Sequence, residues 1–268
     1  MLVSIITPAY KRAHSIERTI KSIMTQTYPN IEHVVIDGGS DDGTTDILKR
    51  YEGLYNLRWI SERDNGHPDA CNKGVGMAKG EIIGFCNADD AYTKDAVRKA
   101  VEVFAKNKDV DLVFGDSVVV DMRNGSSVPA PKLHDGDMKL SDFLNGKKFF
   151  PQQTLFYRRK IIDKAGPIDI EHKFASQYDW WIRMLKEGAK SIYLKGEIMA
   201  YVGDYGDRNS NVYDIPSKKD WISVLQSHGG RLSTYKKFQY FVQVVLNRLS
   251  PNLYLYVKGI YKNLKHER

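Results

Sequence analysis

The chain has 268 residues, of which 42% are hydrophobic and 27% charged, as in an ordinary globular protein that buries a sizeable core. No stretch approaches the roughly 20 apolar residues of a membrane span, and the first residues lack the features of a secretory signal. The two cysteines, Cys71 and Cys86, suggest neither a disulfide framework nor a zinc site, so we expect a cytosolic location.

The net charge of +7 is concentrated near the C-terminus. Residues 231–268 contain eight lysines and arginines against one acid, Glu267, so residues 1–230 are neutral on balance. Aromatic residues are interleaved with these cations, a pattern typical of segments that bind anionic membrane surfaces or nucleic acid. The third alternative is a helical pair that packs on the body with its lysines in solvent.

Predicted strands and helices alternate over about 120 residues, taken in chain order. The strands are predicted at 2–10, 32–37, 57–61, 81–86 and 110–121, and the helices at 15–26, 43–51, 68–80 and 94–107. Alternation of this kind predicts an α/β fold with a mostly parallel sheet flanked by helices. From about residue 125 the pattern loosens. A strand running into a helix is predicted at 152–166, a helix at 178–188, one or two strands from 191, and a helical tail from about 217.

Acidic residues follow three of the predicted strands. They are Asp37, then Asp64 and Asp69, then Asp89 and Asp90. Loops after parallel strands emerge at one edge of the sheet, so these carboxylates should lie together. That arrangement suits a hard divalent cation bridging to a phosphate-bearing ligand. Each aspartate taken alone is more typical of a helix cap or a turn.

Several other classes of site are excluded by spacing. The glycine-rich "DGGSDDGT" lacks the G-x-G-x-x-G spacing of dinucleotide-binding proteins, and no P-loop lysine follows it. HExxH and CxxC motifs and a Ser-His-Asp order are absent, and the seven histidines are scattered.

The segments "VSIITPAY", "VVIDGGSDDGT", "SERDNGHPDACNKG" and "GFCNADD" occur in order and at the spacing of a known family. The chain resembles the family 2 nucleotide-sugar glycosyltransferases, which have the GT-A fold, and it is closest to the bacterial branch that builds O-antigens, capsules and other surface polysaccharides. The resemblance covers roughly residues 2–205 and is most specific up to Asp121.

The resemblance implies a donor site at the edge of the sheet. Pro8, Ala9 and Tyr10 would line the nucleotide base pocket, with Asp37 near the uracil or ribose. The residues that would border the ribose and diphosphate are Asp64, Asp69, Asn72 and Lys73. The run Asn87-Ala88-Asp89 would be the D-x-D metal motif with asparagine in first place, so that Asp89, with Asp90 beside it, would bind Mn²⁺ or Mg²⁺.

The same resemblance places the general base on an acceptor-side helix, six residues before an arginine. Arg183 marks that arginine, and the position six before it is Gln177, which cannot accept a proton at neutral pH. Either Asp179 is the base, or Asp169 or Glu171 replaces it. The alternative for Asp179 is an ion pair with Arg183 across one helical turn.

Four further residues are candidates for sugar contacts. Gln152 and Gln153 match a segment that faces the donor sugar or acceptor in relatives. Trp180 and Trp181 lie on the acceptor-side helix, where one of them would stack on a sugar ring or both would pack in the core.

Together these features predict an inverting, metal-dependent transferase. A UDP-sugar would donate to a hydroxyl of a glycan acceptor, one linked to a polyprenyl diphosphate, at the inner face of the cytoplasmic membrane. The GT-A domain is predicted at 1–215, with a donor half at 1–121 and an acceptor half at 122–215. Residues 216–268 would form a helical extension that rests on the membrane.

Gln177 keeps a second hypothesis open, a non-catalytic nucleotide-sugar or glycan-binding protein. A third, nucleic-acid binding through the tail, is disfavoured by the neutral body and the acidic edge. The transferred sugar, the acceptor linkage and the oligomeric state are not specified by the sequence.

Overall fold

A computed structural model gives the fold and describes residues 1–130, 138–205 and 215–232. Most of the predicted membrane-binding segment, residues 233–268, lies outside the described residues. No helix within the described ranges is long and apolar enough to cross a bilayer.

The strands and helices alternate as predicted through the first half. The strands are β1 (Val3–Ala9), β2 (Ile31–Asp37), β3 (Leu57–Ser61), β4 (Ile82–Phe85), β5 (Asp90–Tyr92), β6 (Leu112–Asp121), β7 (Ser127–Pro129), β8 (Phe156–Arg158) and β9 (Ser191–Asp204). The helices are α1 (Ile16–Met24), α2 (Thr44–Tyr51), α3 (His67–Met77), α4 (Ala96–Lys106), α5 (Leu140–Leu144), α6 (Arg159–Ala165), α7 (Ser176–Lys186) and α8 (Ile215–Ser227). A 3₁₀ turn covers Gln152–Thr154.

These strands form a single sheet in the order β3-β2-β1-β4-β8-β6-β9-β5, with β7 paired to β6. Strands β3, β2, β1 and β4 are parallel to one another, which confirms the prediction for the first half. In the second half the sheet is mixed, because β8 runs antiparallel to both β4 and β6 and β5 runs antiparallel to β9. Every residue of β1 is buried, as expected for a parallel strand covered on both faces.

Chain order reverses at β1, with β2 and β3 on one side and β4 on the other. In open α/β sheets, ligands bind in the crevice that such a reversal opens at the carboxyl ends of the strands. Here the strands end at Ala9, Asp37, Ser61 and Phe85. We call this line of strand ends the carboxyl edge.

A buried histidine stabilises the centre of the parallel half. His33 of β2 is fully buried, and its ring contacts the Thr7 hydroxyl at 2.8 Å and the Tyr55 hydroxyl at 2.6 Å. Burial disfavours the imidazolium and lowers the pKa of His33 to about 3. The ring is therefore neutral in the folded protein at neutral pH.

Helix α8 begins at the predicted boundary at 215/216 and packs against the acceptor half. The Trp221 ring of α8 lies 5.8 Å from Phe149 and 5.9 Å from Tyr178 of α7, measured between centroids. Residues after α8 also contact this half, since the Arg231 amide donates to the Leu144 carbonyl at 3.1 Å. The first part of the predicted extension therefore shares its packing with α5 and α7.

Candidate active site

Three residues meet where β1, β2 and β3 end. Tyr10, directly after β1, has 57% of its surface exposed. A Cβ atom built on Gly38 would lie 2.9 Å from Asp64 Oδ2 and 3.3 Å from the Tyr10 ring. The Asp64 carboxylate and the Tyr10 ring therefore lie side by side against the backbone of Gly38.

The loop that presents Tyr10 is held in an uncommon backbone conformation. Lys11 has φ +53°, in the left-handed region that non-glycine residues rarely adopt. Its amide donates to Ser40 Oγ at 2.8 Å, and its ammonium pairs with Asp41 at 2.9 Å. These contacts fix the position of the exposed ring against the turn after β2.

Asp37 joins two loops of the carboxyl edge. The residue is fully buried, and its Oδ2 accepts from the Ser40 amide at 2.9 Å and from the Ser61 hydroxyl at 2.6 Å. Oδ1 accepts a further hydrogen bond from the Ser40 hydroxyl. The sequence predicts Asp37 near the uracil or ribose. The structure shows its buried carboxylate joining the turn after β2 to the end of β3, which stabilises both.

Asp64 and Asp69 shape the loop that leads into α3. Asp64 Oδ1 accepts from the Gly66 amide at 2.8 Å, and Asp69 Oδ2 accepts from the Asn65 amide at 3.0 Å. Lys73, on the next turn of α3, pairs with Glu62 at 2.7 Å. Of these residues, Asp64 is the one placed beside Tyr10 at the crevice.

Asn72 joins α3 to the loop before α7. Its side chain donates to the Ile168 carbonyl at 2.8 Å and accepts from the Ile168 amide at 2.8 Å. Both ends of the amide are therefore used to attach the loop before α7 to α3. Asn72 thereby connects the two halves of the protein.

Asp89 and Asp90 differ sharply in environment. The Asp89 side chain is 28% exposed, and its charged neighbour Arg12 lies 3.8 Å away. Asp90 is only 3% exposed, and its carboxylate accepts from the Gly203 amide and from the Asn87 side chain, each at 3.2 Å. Of the two predicted metal ligands, Asp89 is the accessible one. Asp90 is buried, and its hydrogen bonds stabilise the loop after β4.

His67, the first residue of α3, lies next to Asn87 of the predicted metal motif, a position that the sequence reasoning missed. Its Nε2 lies 3.1 Å from Asn87 Oδ1. Since Asn87 Nδ2 donates to Asp90, both ends of the Asn87 amide are bonded within the protein. The available signal was local: His67 follows the loop containing Asp64 and begins the helix of the "HPDACNKG" segment. Treating the histidines as scattered overlooked that position.

The donor set fits a divalent cation only in combination with a phosphate ligand. Within the described residues, no three His, Cys, Asp or Glu side chains converge on a common point. Mg²⁺ in nucleotide sites is commonly held by one or two carboxylates, with phosphate oxygens and water completing the shell. A single accessible carboxylate, Asp89, matches that description.

Gln152 lies at the same edge as Asp89. Strand β8 runs antiparallel to β4 and begins opposite Gly84, so the 3₁₀ turn that precedes β8 lies at the carboxyl end of β4. The Gln152 Nε2 atom is buried and has no hydrogen-bond partner among the described residues. Burying an amide without a partner is costly, so this atom is available to a ligand oxygen. Gln153, the next residue of the turn, is partly exposed.

Asp179 lies in the contact between α7 and α8. Its Oδ2 accepts from Arg183 Nε at 2.8 Å, and its Oδ1 lies 2.7 Å from His228 Nε2. The residue is 7% exposed. With both oxygens bonded and the carboxylate buried, the geometry agrees with the predicted alternative of an ion pair across one helical turn and disfavours Asp179 as the base.

Three other polar residues near α7 are more accessible. Gln177, in the first turn of α7, is partly exposed, and Asp169 and Glu171 of the preceding loop are exposed. Asp169 Oδ1 accepts from the Glu171 amide at 2.9 Å, which turns the chain at this point. The two carboxylates named as alternatives to Asp179 are therefore open to solvent.

Both tryptophans of α7 belong to the core. Trp180 is 1% exposed and donates from Nε1 to the Gly166 carbonyl at 2.8 Å. Trp181 is 5% exposed and donates to the Tyr157 hydroxyl at 3.1 Å. Buried rings with bonded nitrogens fit the predicted core-packing alternative and leave little surface for stacking on a sugar.

This sheet, with its crevice at the carboxyl edge, is the architecture of the GT-A glycosyltransferases. The structure superposes on S. aureus TarS, solved in complex with UDP-GlcNAc, with a TM-score of 0.70, 20% identity and coverage of 93% of this chain and 73% of that one. It also superposes on the mannosyltransferase PcManGT from Pyrobaculum calidifontis, solved with GDP-Man and Mn²⁺, with a TM-score of 0.61, 21% identity and coverage of 83% and 62%. At these identities the likeness establishes the fold.

Sequence comparison establishes the family. The family model described as "Glycosyl transferase family 2" matches residues 4–166. An uncharacterized glycosyltransferase of Mycobacterium tuberculosis is 32% identical over 186 residues, which is 68% of each chain. The chain belongs to glycosyl transferase family 2. Enzymes of this family commonly use divalent metals.

Proposed function

We propose that this glycosyltransferase moves a sugar from a UDP-sugar to a hydroxyl of a glycan acceptor, with inversion at the anomeric carbon. The observation that carries the proposal is the arrangement at the carboxyl edge. An exposed aromatic ring, Tyr10, lies at one end beside Asp64, and the accessible carboxylate of Asp89 lies beyond β4. Uracil on Tyr10 and a diphosphate near Asp89 match these positions chemically.

The metal part of the proposal rests on Asp89. A divalent cation, Mn²⁺ or Mg²⁺, would supply charge stabilisation for the departing diphosphate. Asp89 would hold it together with the phosphate oxygens of the donor. Arg12, 3.8 Å from Asp89, adds a positive charge on the same side of the crevice. His67 and Asp90 keep the Asn87 amide, and with it the loop, in place.

The acceptor hydroxyl must lose its proton as its oxygen attacks the anomeric carbon, on the face opposite the diphosphate. The bond from the sugar to the diphosphate breaks, UDP leaves, and the proton passes to a carboxylate. Asp179 is bonded at both oxygens, and Asp169 accepts a backbone hydrogen bond. We place the base at Glu171, whose side chain makes no hydrogen bond or ion pair within the described residues.

The comparisons and the charge support a donor class and an acceptor class. TarS was solved with UDP-GlcNAc, which makes that sugar nucleotide the first donor to test. We propose an acceptor linked to a polyprenyl diphosphate in surface polysaccharide synthesis. The basic, aromatic segment 231–268 would then attach the enzyme to the inner face of the cytoplasmic membrane.

The decisive experiment is calorimetric titration of UDP with Mn²⁺ present and with EDTA. We expect binding with Mn²⁺, at least tenfold weaker binding in EDTA, and the same loss in Asp89→Ala. Asp46→Ala removes an exposed carboxylate from α2 and should bind UDP as the wild type does. Equal UDP affinity with Mn²⁺ and with EDTA, and in the wild type and Asp89→Ala, would overturn the proposed site.

A second panel identifies the base. Transfer from UDP-GlcNAc and UDP binding are measured for Glu171→Gln, Asp169→Asn and Asp179→Asn. We expect Glu171→Gln alone to bind UDP normally and lose transfer by about 100-fold or more, since general-base catalysis contributes 10²–10⁴-fold.

Gln177 supports a second candidate function, binding of a nucleotide sugar without transfer. The two functions differ in a simple assay. An enzyme hydrolyses its donor slowly even without acceptor, whereas a binding protein leaves UDP-GlcNAc intact over the same period at the same occupancy.

A further inference from the structure

The loop that carries Asp89 is attached to two other elements, helix α1 and the end of strand β9. From α1, the buried Thr19 hydroxyl donates to the carbonyl oxygens of Asn87 and Asp90, at 3.3 and 2.6 Å. From β9, the Gly203 amide donates to the Asp90 carboxylate at 3.2 Å. The position of this short loop is therefore set by contacts with residues far away in the chain.

Gly203 packs directly against the backbone of Asp89. A Cβ atom built on Gly203 would overlap the Asp89 carbonyl oxygen, whereas its other close neighbours, Tyr205 and Arg18, meet it with side chains that can rotate away. Ordinary contacts between a carbon and a carbonyl oxygen are about 3.3 Å or longer, so a methyl group here requires a shift of roughly 1 Å. The φ of Gly203 lies outside the left-handed region. Alanine at this position is therefore opposed by the contact with Asp89 and not by the backbone conformation.

The sheet holds β9 more firmly than it holds the loop. Strand β9 pairs with β6 over ten positions, with Val120 opposite Gly203, and with β5 over three. Residues 86–89 belong to no strand, since β4 ends at Phe85 and β5 begins at Asp90. A methyl group at position 203 should therefore displace the loop rather than the strand.

This displacement bears on cation binding, because Asp89 has an accessible carboxylate at the carboxyl edge, with 28% of its side chain exposed. Metal ligands in proteins lie within about 0.2 Å of their ordinary bonding distances. Binding groups in general have to be held within about 0.5 Å of their productive positions. A change at position 203 would therefore move Asp89 out of reach of a cation that accompanies a bound diphosphate.

We infer that Gly203 and Thr19 are positioning residues of the donor site, which set the place of the Asp89 carboxylate and with it the metal-dependent affinity for the donor. Gly203 belongs to the predicted acceptor half and lies beyond residues 4–166, the part that the family model matches. A strand of the acceptor half thus determines the geometry of the donor site. The inference rests on the proposed function, in which Asp89 holds the cation.

The test is calorimetric titration of UDP into the full chain, with Mn²⁺ and with EDTA. With Mn²⁺ we expect Gly203→Ala to weaken UDP binding about tenfold or more and Thr19→Val to weaken it a few-fold, because changes to the groups that orient a metal ligand commonly cost 10–100-fold. In EDTA both variants should bind UDP as the wild type does. Titration of Mn²⁺ at a fixed UDP concentration should show the same loss in the apparent Mn²⁺ affinity.

Two variants serve as matched controls. Gly76→Ala adds a methyl group into open space on α3, and Thr25→Val removes an exposed hydroxyl at the end of α1. Both should bind UDP like the wild type under both conditions. Melting curves show whether each variant is folded. If Gly203→Ala does not fold, Thr19→Val decides the question, because it adds no bulk to the sheet.

Two results overturn the inference. Unchanged Mn²⁺-dependent binding in the variants would mean that the loop does not depend on these contacts, and equal losses with Mn²⁺ and with EDTA would mean a general effect on the fold. If the wild type binds UDP in a Mn²⁺-dependent manner and the variants match it, the proposed function stands and only the positioning residues are lost. If UDP binding by the wild type itself is independent of Mn²⁺, both fail.

Discussion

The carboxyl edge and the α7–α8 contact use aspartates in opposite ways. At the edge, Asp64 and Asp89 follow strand ends and remain partly exposed, with Asp89 3.8 Å from Arg12. In the α7–α8 contact, Asp179 is buried between Arg183 and His228. An accessible carboxylate can bind a cation or accept a proton, whereas one with both oxygens bonded stabilises its surroundings. Residue type alone therefore does not distinguish an accessible aspartate from a structural one in this protein.

The difference arises from where each aspartate finds its partners. Asp64 is positioned by the Gly66 amide two residues away, so local sequence determines its place. Asp179 receives one partner from its own helix and the other from His228, which is 49 residues further along the chain. The second partner appears only when α8 packs against α7.

The largest effect expected from this comparison is on stability. Asp179→Asn should lower the free energy of unfolding by about 3 kcal/mol, because removing one partner of a buried ion pair leaves Arg183 without its counter-charge. Urea denaturation at pH 7.5 measures the change. Asp163→Asn, an exposed aspartate on α6, serves as the control and should alter stability by under about 0.5 kcal/mol.

The opposite pattern would break the comparison. If Asp179→Asn unfolds like the wild type, binds UDP normally and loses transfer, then Asp179 is the base and the ion pair opens in the working enzyme.

The next largest expected effect is on the pH dependence of the free energy of unfolding, through His33 in the parallel half. The pKa of His33 in the folded protein, about 3, is below the 6.5 of an unperturbed histidine. The unfolded state therefore binds a proton between these values and the folded state does not, so stability falls as pH drops below 6.5. At pH 4.5 the loss from this group is about 2.5 kcal/mol.

Urea denaturation between pH 7 and pH 4.5 checks this expectation. His33→Gln should lose that part of the pH dependence, whereas His14→Gln, at an exposed position, should retain it. Identical pH profiles for wild type and His33→Gln would mean that His33 is protonated in the folded protein.

The smallest effect sharpens the description of the carboxyl edge. His67→Ala should weaken UDP binding about tenfold, because the Asn87 amide loses the partner that orients it. His67→Gln retains a hydrogen-bond donor and should recover most of the affinity. Calorimetry with Mn²⁺ measures the UDP affinity of both variants. The melting temperature should change by no more than about 2 °C, because His67 is exposed. Equal affinity in all three proteins would remove His67 from the site.

Much of the donor half was predictable because its signals are local. The strand ends at Ala9, Asp37, Ser61 and Phe85 follow from buried runs that stop at polar loops, and a parallel sheet brings such ends to one edge. Which aspartate of each loop faces the crevice was not predictable. The carboxylates of Asp37 and Asp90 are buried and accept hydrogen bonds from the backbone amides of Ser40 and Gly203, respectively. Gly203 belongs to β9, far along the chain from Asp90.

Sequence by itself determined the alternating α/β order, the parallel strands of the first half and the set of acidic loops, since hydrophobic period and turn residues act over a few positions. Tertiary structure alone decided the antiparallel entry of β8, the burial of Trp180 and Trp181, and the pairing of Asp179 with His228. These features depend on contacts between residues far apart in the chain. Burial, and the hydrogen bonds that burial demands, arise only when those residues meet.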